Sequence, residues 1–197
     1  MSQRIDSSQK LIIIGASGHG KVIADIAYCC GYKDIAFLDD DESLKFCMNY
    51  PVIGKPSDAE NYKDSDYFVA IGNPETREKV QGNLKNAGLH IVTLLHPDAV
   101  IAESVSIGIG TVVMAGTVIN PDSRIGDGCI INTGSSVDHD DVIGDYAHIS
   151  VGAHLAGTVH IGEGTWIGAG AVVSNNVNIC GNCMIGAGTV VDRKSVV

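Results

Sequence analysis

The segment Val137-Asp138-His139-Asp140-Asp141 sets one histidine among three carboxylates. Residues 101–197 hold only nine acidic side chains, so three within four positions is a local concentration. A negative field raises the basicity of an imidazole, and a neighbouring carboxylate selects its tautomer. That pairing suits a general base taking a proton from an amine or hydroxyl nucleophile. His139 and Asp140 are the candidate catalytic pair. A second group lies near the start. The run Leu11–Ile14 leads into Gly15-Ala16-Ser17-Gly18-His19-Gly20 and then a helical pattern. Backbone N–H groups at such a helix start favour an anion, commonly phosphate. Asp39 and Asp40 close the next apolar run, where a Rossmann unit sets an acid against a ribose. Gly72 and Asn73 end the third run at the same sheet edge. Ser17, Gly18, His19, Asp39, Asp40, Gly72 and Asn73 are the candidate nucleotide-binding residues.

The elements that carry these groups differ between the two halves. From Ile101, every sixth residue to Val197 is aliphatic, seventeen positions without a slip. Neither a helical period of 3.6 nor an alternating strand explains this; a parallel β-helix of hexapeptide faces does. Three faces close a coil of about 18 residues, with one aliphatic side chain per face pointing inward. The fifth hexad residue is expected to be small, because it sits inside near a corner. Fifteen of sixteen obey, and Asp141 is the exception. Gly follows the aliphatic residue at Gly108, Gly126, Gly144, Gly162, Gly168 and Gly186, where a turn is expected.

Positions one coil apart stack, so Gly157 is expected directly beyond His139, with its N–H free to stabilise an oxyanion. His148 lies half a coil on, placed to serve a neighbouring subunit's His139. His154 and His160 read as exposed corner residues, and Asn132 and Ser136 as groups that orient acids or water. A rule that fails at one place marks a candidate functional site, here the Asp138–Asp141 turn.

Before the prism, Leu11–Ile14, Ile35–Leu38, Tyr67–Ile71 and Ile91–Leu95 read as buried parallel strands, with helices at Lys21–Cys30 and Glu75–Ala87. Gly31 and Gly88 are candidate helix C-caps. Residues 1–9 are expected to fray. The expected fold is an α/β Rossmann-like βαβ domain over residues 1–97, then an all-β parallel β-helix over 98–197. The first half is too short for both halves of a dinucleotide fold, so a mononucleotide or nucleotide sugar fits better than NAD.

The Gly15–Gly20 loop, Phe37-Leu38-Asp39-Asp40, Ile71-Gly72-Asn73, and the stretch from Asp138-His139-Asp140 through Ile143-Gly144-Asp145, His148-Ile149 and Val151-Gly152-Ala153 occur together. In combination they resemble the NeuD/PglD-type sugar O/N-acetyltransferases of the hexapeptide-repeat acyltransferase superfamily. The enzymes acetylating a UDP-4-amino-4,6-dideoxy sugar are the nearest type. The resemblance implies a left-handed β-helix and a homotrimer with active sites between subunits. It implies acetyl-CoA as donor, a nucleotide-sugar acceptor, direct attack without a covalent enzyme intermediate, and no metal. By the resemblance, His139 is the base and Asp140 the carboxylate that raises its basicity. His148, Gly157, Ala169 and Ala187 match acetyl-CoA positions, and the seven N-terminal residues match the nucleotide-sugar pocket. The sequence ends at Arg193–Val197, where the resemblance expects a Gly-x-Pro-Ala-Lys segment near the donor.

Alternatives stay open at this stage. They are O-acetylation of sialic acid or another sugar, N-acetylation of a GDP- or dTDP-linked sugar, and a non-catalytic binding module. A β-helix metalloenzyme needs three convergent histidines; His148, His154 and His160 at spacing six fall on three faces. Composition excludes other classes. A net charge of −10 argues against nucleic acid or an anionic membrane as partner. No apolar run approaches a membrane span of about 18 residues. Six scattered cysteines without zinc-like spacing fit a reducing cytoplasmic setting.

Overall fold

The computed structural model describes residues 9–192. The fraying expected of residues 1–8 and the tail at 193–197 lie outside the described residues. Those described fall into two compact units that divide between Leu94 and Leu95.

The first unit is a four-stranded parallel sheet. Strand β1 is Lys10–Ile14, helix α1 Gly18–Cys30, and β2 Asp34–Leu38. A small hairpin, β3 Phe46–Cys47 and β4 Tyr50–Pro51, precedes β5 Asp66–Val69, helix α2 Pro74–Asn86 and β6 His90–Ile91. Sheet order is β2-β1-β5-β6, so the chain changes direction of travel between β1 and β5. Crevices at the carboxyl ends of strands at such a switch point are where open α/β sheets bind ligands. The strands are continuous apolar runs because both faces are covered: Leu11 to Ile14 and Ala36 to Leu38 are wholly buried. Helix α1 turns Gly20, Ile23, Ala24 and Ala27 to the sheet, at helical spacing. Gly20 has no room for a β-carbon, which would overlap the carbonyl oxygen of Gly15. Gly31 caps α1 at φ 114° and Gly88 follows the α2 cap Ala87 at φ 72°, as their sequence positions suggest.

Most boundaries shift by one or two residues, the third strand ending at Val69 rather than Ile71, and three differences are larger. Helix α1 starts at Gly18 rather than Lys21, so half of the glycine-rich loop is its first turn. Gln9 is held rather than frayed, its side chain donating to Asp64 O at 2.8 Å. Ile91–Leu95 is not one strand. His90–Ile91 closes the sheet, whereas Leu94–Leu95 is the first rung of the prism. Leu95 lies six residues before Ile101, in phase with the hexads.

The second unit is the parallel β-helix, about five coils of two-residue rungs on three faces. The first face runs from Leu94–Leu95 through Ile130–Ile131, His148–Ile149 and Trp166–Ile167 to Met184–Ile185. The second carries Val100–Ile101, Val118–Ile119, Ser136–Val137, His154–Leu155, Val172–Val173 and Val190–Val191. The third runs from Ser106–Ile107 to Asn178–Ile179. Paired rungs are 18 residues apart, as in Val118↔Ser136↔His154. The inward aliphatics from Val113 to Val191 form one buried core. Each such side chain stabilises by about 1.5–3 kcal/mol relative to exposure.

The corner logic is not the one expected of glycine. Positive φ occurs at the fourth hexad residue, including Gly110, Gly116, Asp122, Gly134 and Asp140. The second-position glycines serve close stacking instead. A β-carbon at Gly108, Gly126, Gly144 or Gly168 would lie 2.5–2.7 Å from a backbone nitrogen of the next coil.

Candidate active site

His139 stands at the corner between the second and third faces, following Val137 and preceding Val142. Its Nδ1 lies 2.7 Å from Asp140 Oδ2. An ionised carboxylate only accepts, so Nδ1 carries the proton and Nε2 keeps the lone pair. The Asp140 hydrogen bond, and then the field of Asp138, Asp140 and Asp141, holds His139 above the ordinary imidazole value. Asp140 adopts the left-handed corner conformation at φ 60°, which acidic side chains tolerate better than most.

Asp138 orients the backbone of the turn. Its Oδ1 accepts from His139 N at 2.8 Å and from Asn120 Nδ2 at 2.8 Å. These bonds hold its carboxyl below the usual range, the Asn120 bond first. Asp141 is fully buried. Its Oδ2 accepts from Asp138 N at 3.0 Å and its Oδ1 from Val159 N at 2.7 Å. Burial nevertheless pushes its carboxyl up to about 7.

Gly157 lies one coil on, under the imidazole. A β-carbon there would meet His139 Nε2 at 2.5 Å and Cε1 at 2.7 Å. The coils are joined beside it, with Thr158 N donating to His139 O at 2.9 Å. His139, Asp140 and Gly157 therefore share one corner.

His148, Ala169 and Ala187 do not reach that corner of the same prism. His148 projects from the first face, and Ala169 and Ala187 are exposed at the corner between the first and second faces. Asn132 Oδ1 accepts from Thr133 N at 2.8 Å, which turns Nδ2 to His148 Nε2 at 3.0 Å. His148 Nε2 is thus an acceptor and the proton sits on Nδ1. Trp166 stacks on His148 with ring centres 4.5 Å apart, and its Nε1 donates to Ser150 Oγ at 2.6 Å. Sequence reading passes over Trp166 because a lone aromatic in a hexad carries no spacing signal. Ser136 Oγ is 2.8 Å from His154 Nδ1 on the second face, and His160 is exposed on the third.

In the first unit, Gly15, Ser17, Asp39, Asp40, Ile71 and Gly72 line a cleft of about 240 Å³ at the β1/β5 switch point. Ser17 is the N-cap of α1, and its side chain makes no capping bond. Asp39 is engaged at both oxygens, by Ala16 N at 2.6 Å and Asp41 N at 2.9 Å, so it shapes the loop. Asp40 is the exposed acid of the pair. Gly18, His19 and Asn73 are not among the lining residues. His19 is mostly enclosed, its pKa lowered to about 4 by burial and by Arg77. Asn73 caps α2, its side chain accepting from Thr76 N at 2.8 Å. Arg77, also passed over in sequence, is buried and donates to Ile71 O at 2.8 Å and Gly72 O at 2.7 Å, fixing the cleft's third loop.

Comparison with known proteins places this geometry. Residues 10–84 match the PglD N-terminal domain, and residues 158–193 match the bacterial transferase hexapeptide (six repeats). The acetyltransferase domain of PglB from Neisseria gonorrhoeae FA1090 superposes with TM-score 0.89 at 40% identity, over 93% of this chain and 91% of that one. The chain belongs to the PglD-type sugar N-acetyltransferases. PerB from Caulobacter crescentus, solved with CoA and GDP-perosamine, is 39% identical with TM-score 0.89, over 92% of this chain and 88% of that one. A UDP-N-acetylbacillosamine N-acetyltransferase of Bacillus subtilis (strain 168) is 36% identical over 112 residues. That match spans about half of this PglD-type chain and about half of the curated relative. Among the described residues, no helix of the PglD-type chain is long and apolar enough to cross a membrane.

Proposed function

We propose that the chain transfers the acetyl group of acetyl-CoA to the amine of a nucleotide-linked amino sugar. The observation that carries this reading is the corner shared by His139, Asp140 and Gly157. The neutral sugar amine attacks the thioester carbonyl carbon. His139 Nε2 takes the proton the nitrogen must lose as the tetrahedral intermediate forms. Asp140 holds Nδ1–H and stabilises the imidazolium. Gly157 N–H donates to no group among the described residues, and it is placed to stabilise the oxyanion. Collapse breaks the C–S bond, and the imidazolium returns its proton to the departing thiolate, releasing CoA as the free thiol. The gonococcal domain has been solved with acetyl coenzyme A, which supports this donor.

We assign the acceptor's nucleotide to the cleft at the β1/β5 switch point, with its phosphates toward the open first turn of α1. Ser17, Asp40 and Gly72 line it, while Asp39 holds its loop in shape. A UDP-linked 4-amino-4,6-dideoxy sugar is the first reading. The GDP-perosamine complex of PerB favours a GDP-linked sugar as the second.

The second face of the prism supports a homotrimer. Val100 and Val118 at one end of its outward column, and Val172 and Val190 at the other, are exposed, with Ser136 and His154 between them. That face lies between the His139 corner and the Ala169/Ala187 corner, so packing it against a neighbour brings one subunit's base to another's His148 and alanine groove. A cytoplasmic setting accords with cysteines that form no disulfide among the described residues.

Calorimetry with UDP, GDP and dTDP, followed by free-CoA release with the matching 4-amino sugar, tests the reading. Nucleotide binding with acetyl-CoA-dependent thiol release is expected. Binding without turnover of any amino sugar contradicts it.

A further inference from the structure

Asp141 breaks the small-residue rule at a corner where a hydroxyl would serve closure. Three other corners show what a hydroxyl does. Thr111, Ser123 and Thr165 each accept the backbone N–H eighteen residues ahead, from Cys129, Asp141 and Cys183 at 2.9, 3.2 and 3.1 Å. Each also donates to a carbonyl fifteen residues ahead, those of Gly126, Asp138 and Cys180. At these three corners the hydroxyl staples a coil to the next; Ser135 instead donates within its own turn, to Asn132 O at 2.7 Å, so Asp141 is set apart by accepting a backbone amide at each end.

Asp141 keeps the forward staple, with Oδ1 on Val159 N at 2.7 Å. Its second oxygen reaches back three residues to Asp138 N at 3.0 Å. Both ends of that clamp lie beside the reacting groups. Asp138 adjoins His139 and holds its amide through Oδ1. Val159 adjoins Thr158, whose N–H holds the His139 carbonyl, and lies two residues from Gly157. The clamp sits in an apolar prism, where a buried carboxyl is costly without good partners. Closure alone would be met by the hydroxyl found at Ser123, one coil earlier.

We propose that Asp141 is a positioning residue that registers the His139 imidazole against the Gly157 backbone, by holding the Asp138 and Val159 amides with one carboxyl group. It rests on the acetyl-transfer reading for its kinetic consequence, and on geometry alone for its effect on His139.

The test compares the full chain with Asp141→Thr and Asp141→Asn. Threonine restores the ordinary corner staple and abolishes the backward bond. Asparagine is isosteric, keeps one acceptor, and provides a folded variant should threonine not be accommodated. Three quantities are measured: kcat and KM with acetyl-CoA and the amino sugar, melting temperature, and the His139 titration by 1H–15N NMR, assigned with His139→Gln. For Asp141→Thr the expected result is a melting temperature at least that of wild type and unchanged KM values. Its kcat falls roughly 10- to 100-fold, the scale of a small misplacement of a catalytic group. The His139 titration midpoint moves toward that of an ordinary imidazole. For Asp141→Asn the loss of kcat is smaller. Wild-type kcat and an unmoved His139 titration in both variants overturn the proposal, as does a fall in kcat that only tracks lost folding. If wild type releases no CoA with any amino sugar, the functional reading fails. The NMR titration then decides the positioning role through the two variants together: both remove the Asp141 charge, so a midpoint that moves further in Asp141→Thr than in Asp141→Asn supports it, and equal movement overturns it.

Discussion

The imidazole of His139 and the α-carbon of Gly157 are in contact across adjacent coils: a β-carbon on Gly157 would sit 2.5 Å from His139 Nε2. In the proposed reaction the relationship joins the atom that would take the proton to the backbone that would receive the oxyanion. Eighteen residues of sequence separation become one coil of height, and hexad register sets the two residues one above the other.

Gly157→Ala is therefore expected to injure catalysis more than folding. Gly157 does not need a positive φ, and the half-exposed His139 side chain can swing outward to make room. We expect kcat to fall about 10-fold or more, with the melting temperature little changed. Equal kcat in the alanine variant would show that the contact is not used.

Asp140→Asn changes the pH profile in a defined direction. Asp140 is the leading reason that His139 lies above the ordinary imidazole value. The base acts when neutral, so activity rises with pH as His139 loses its proton. With asparagine the acid limb of kcat moves to lower pH, while the plateau drops because the imidazole is less basic. A limb that stays in place contradicts the assignment of Asp140 as partner.

Asp141 gives a stability signature of its own. Its carboxyl titrates near 7 in the folded chain, against 3.8 as the ordinary value. Between these values the folded state binds more protons than the unfolded one, so stability falls as pH rises. The contribution is fully present below pH 4 and is lost through pH 7. Asp141→Asn lacks that term. Urea unfolding at pH 4.5 and pH 8 should show wild type losing ~2–4 kcal/mol more than the variant. Parallel losses would place the Asp141 titration in the ordinary carboxylate range.

Much of this is legible in sequence because a hexad is a strict register. The inward aliphatics, the fifth-position rule and its failure at Asp141 are all written in residue type. The stacking of Gly157 on His139 follows by counting. Leu95 is legible in the same way, yet the neighbouring Ile91 continues the apolar run and hides the change of fold between them. The roles of Gly108 and its equivalents are not legible, because glycine signals a positive φ and a close approach with the same letter. Arg77 carries no signal in the sequence, and Asp39 looks like a ribose ligand. Only coordinates show that one holds Ile71 and Gly72 and the other Ala16 and Asp41. His148 and His139 sit on different parts of one prism, a separation that hexad counting states but a motif match obscures.

The most direct measurement is release of free CoA from acetyl-CoA by His139→Ala, with a UDP- or GDP-linked 4-amino sugar chosen by calorimetry. We predict a fall in kcat of at least about 10²-fold, the scale of a positioned general base, while the variant still binds acetyl-CoA and nucleotide. Turnover at the wild-type rate in that variant would contradict His139 as the base and, with it, the account of the corner it shares with Gly157.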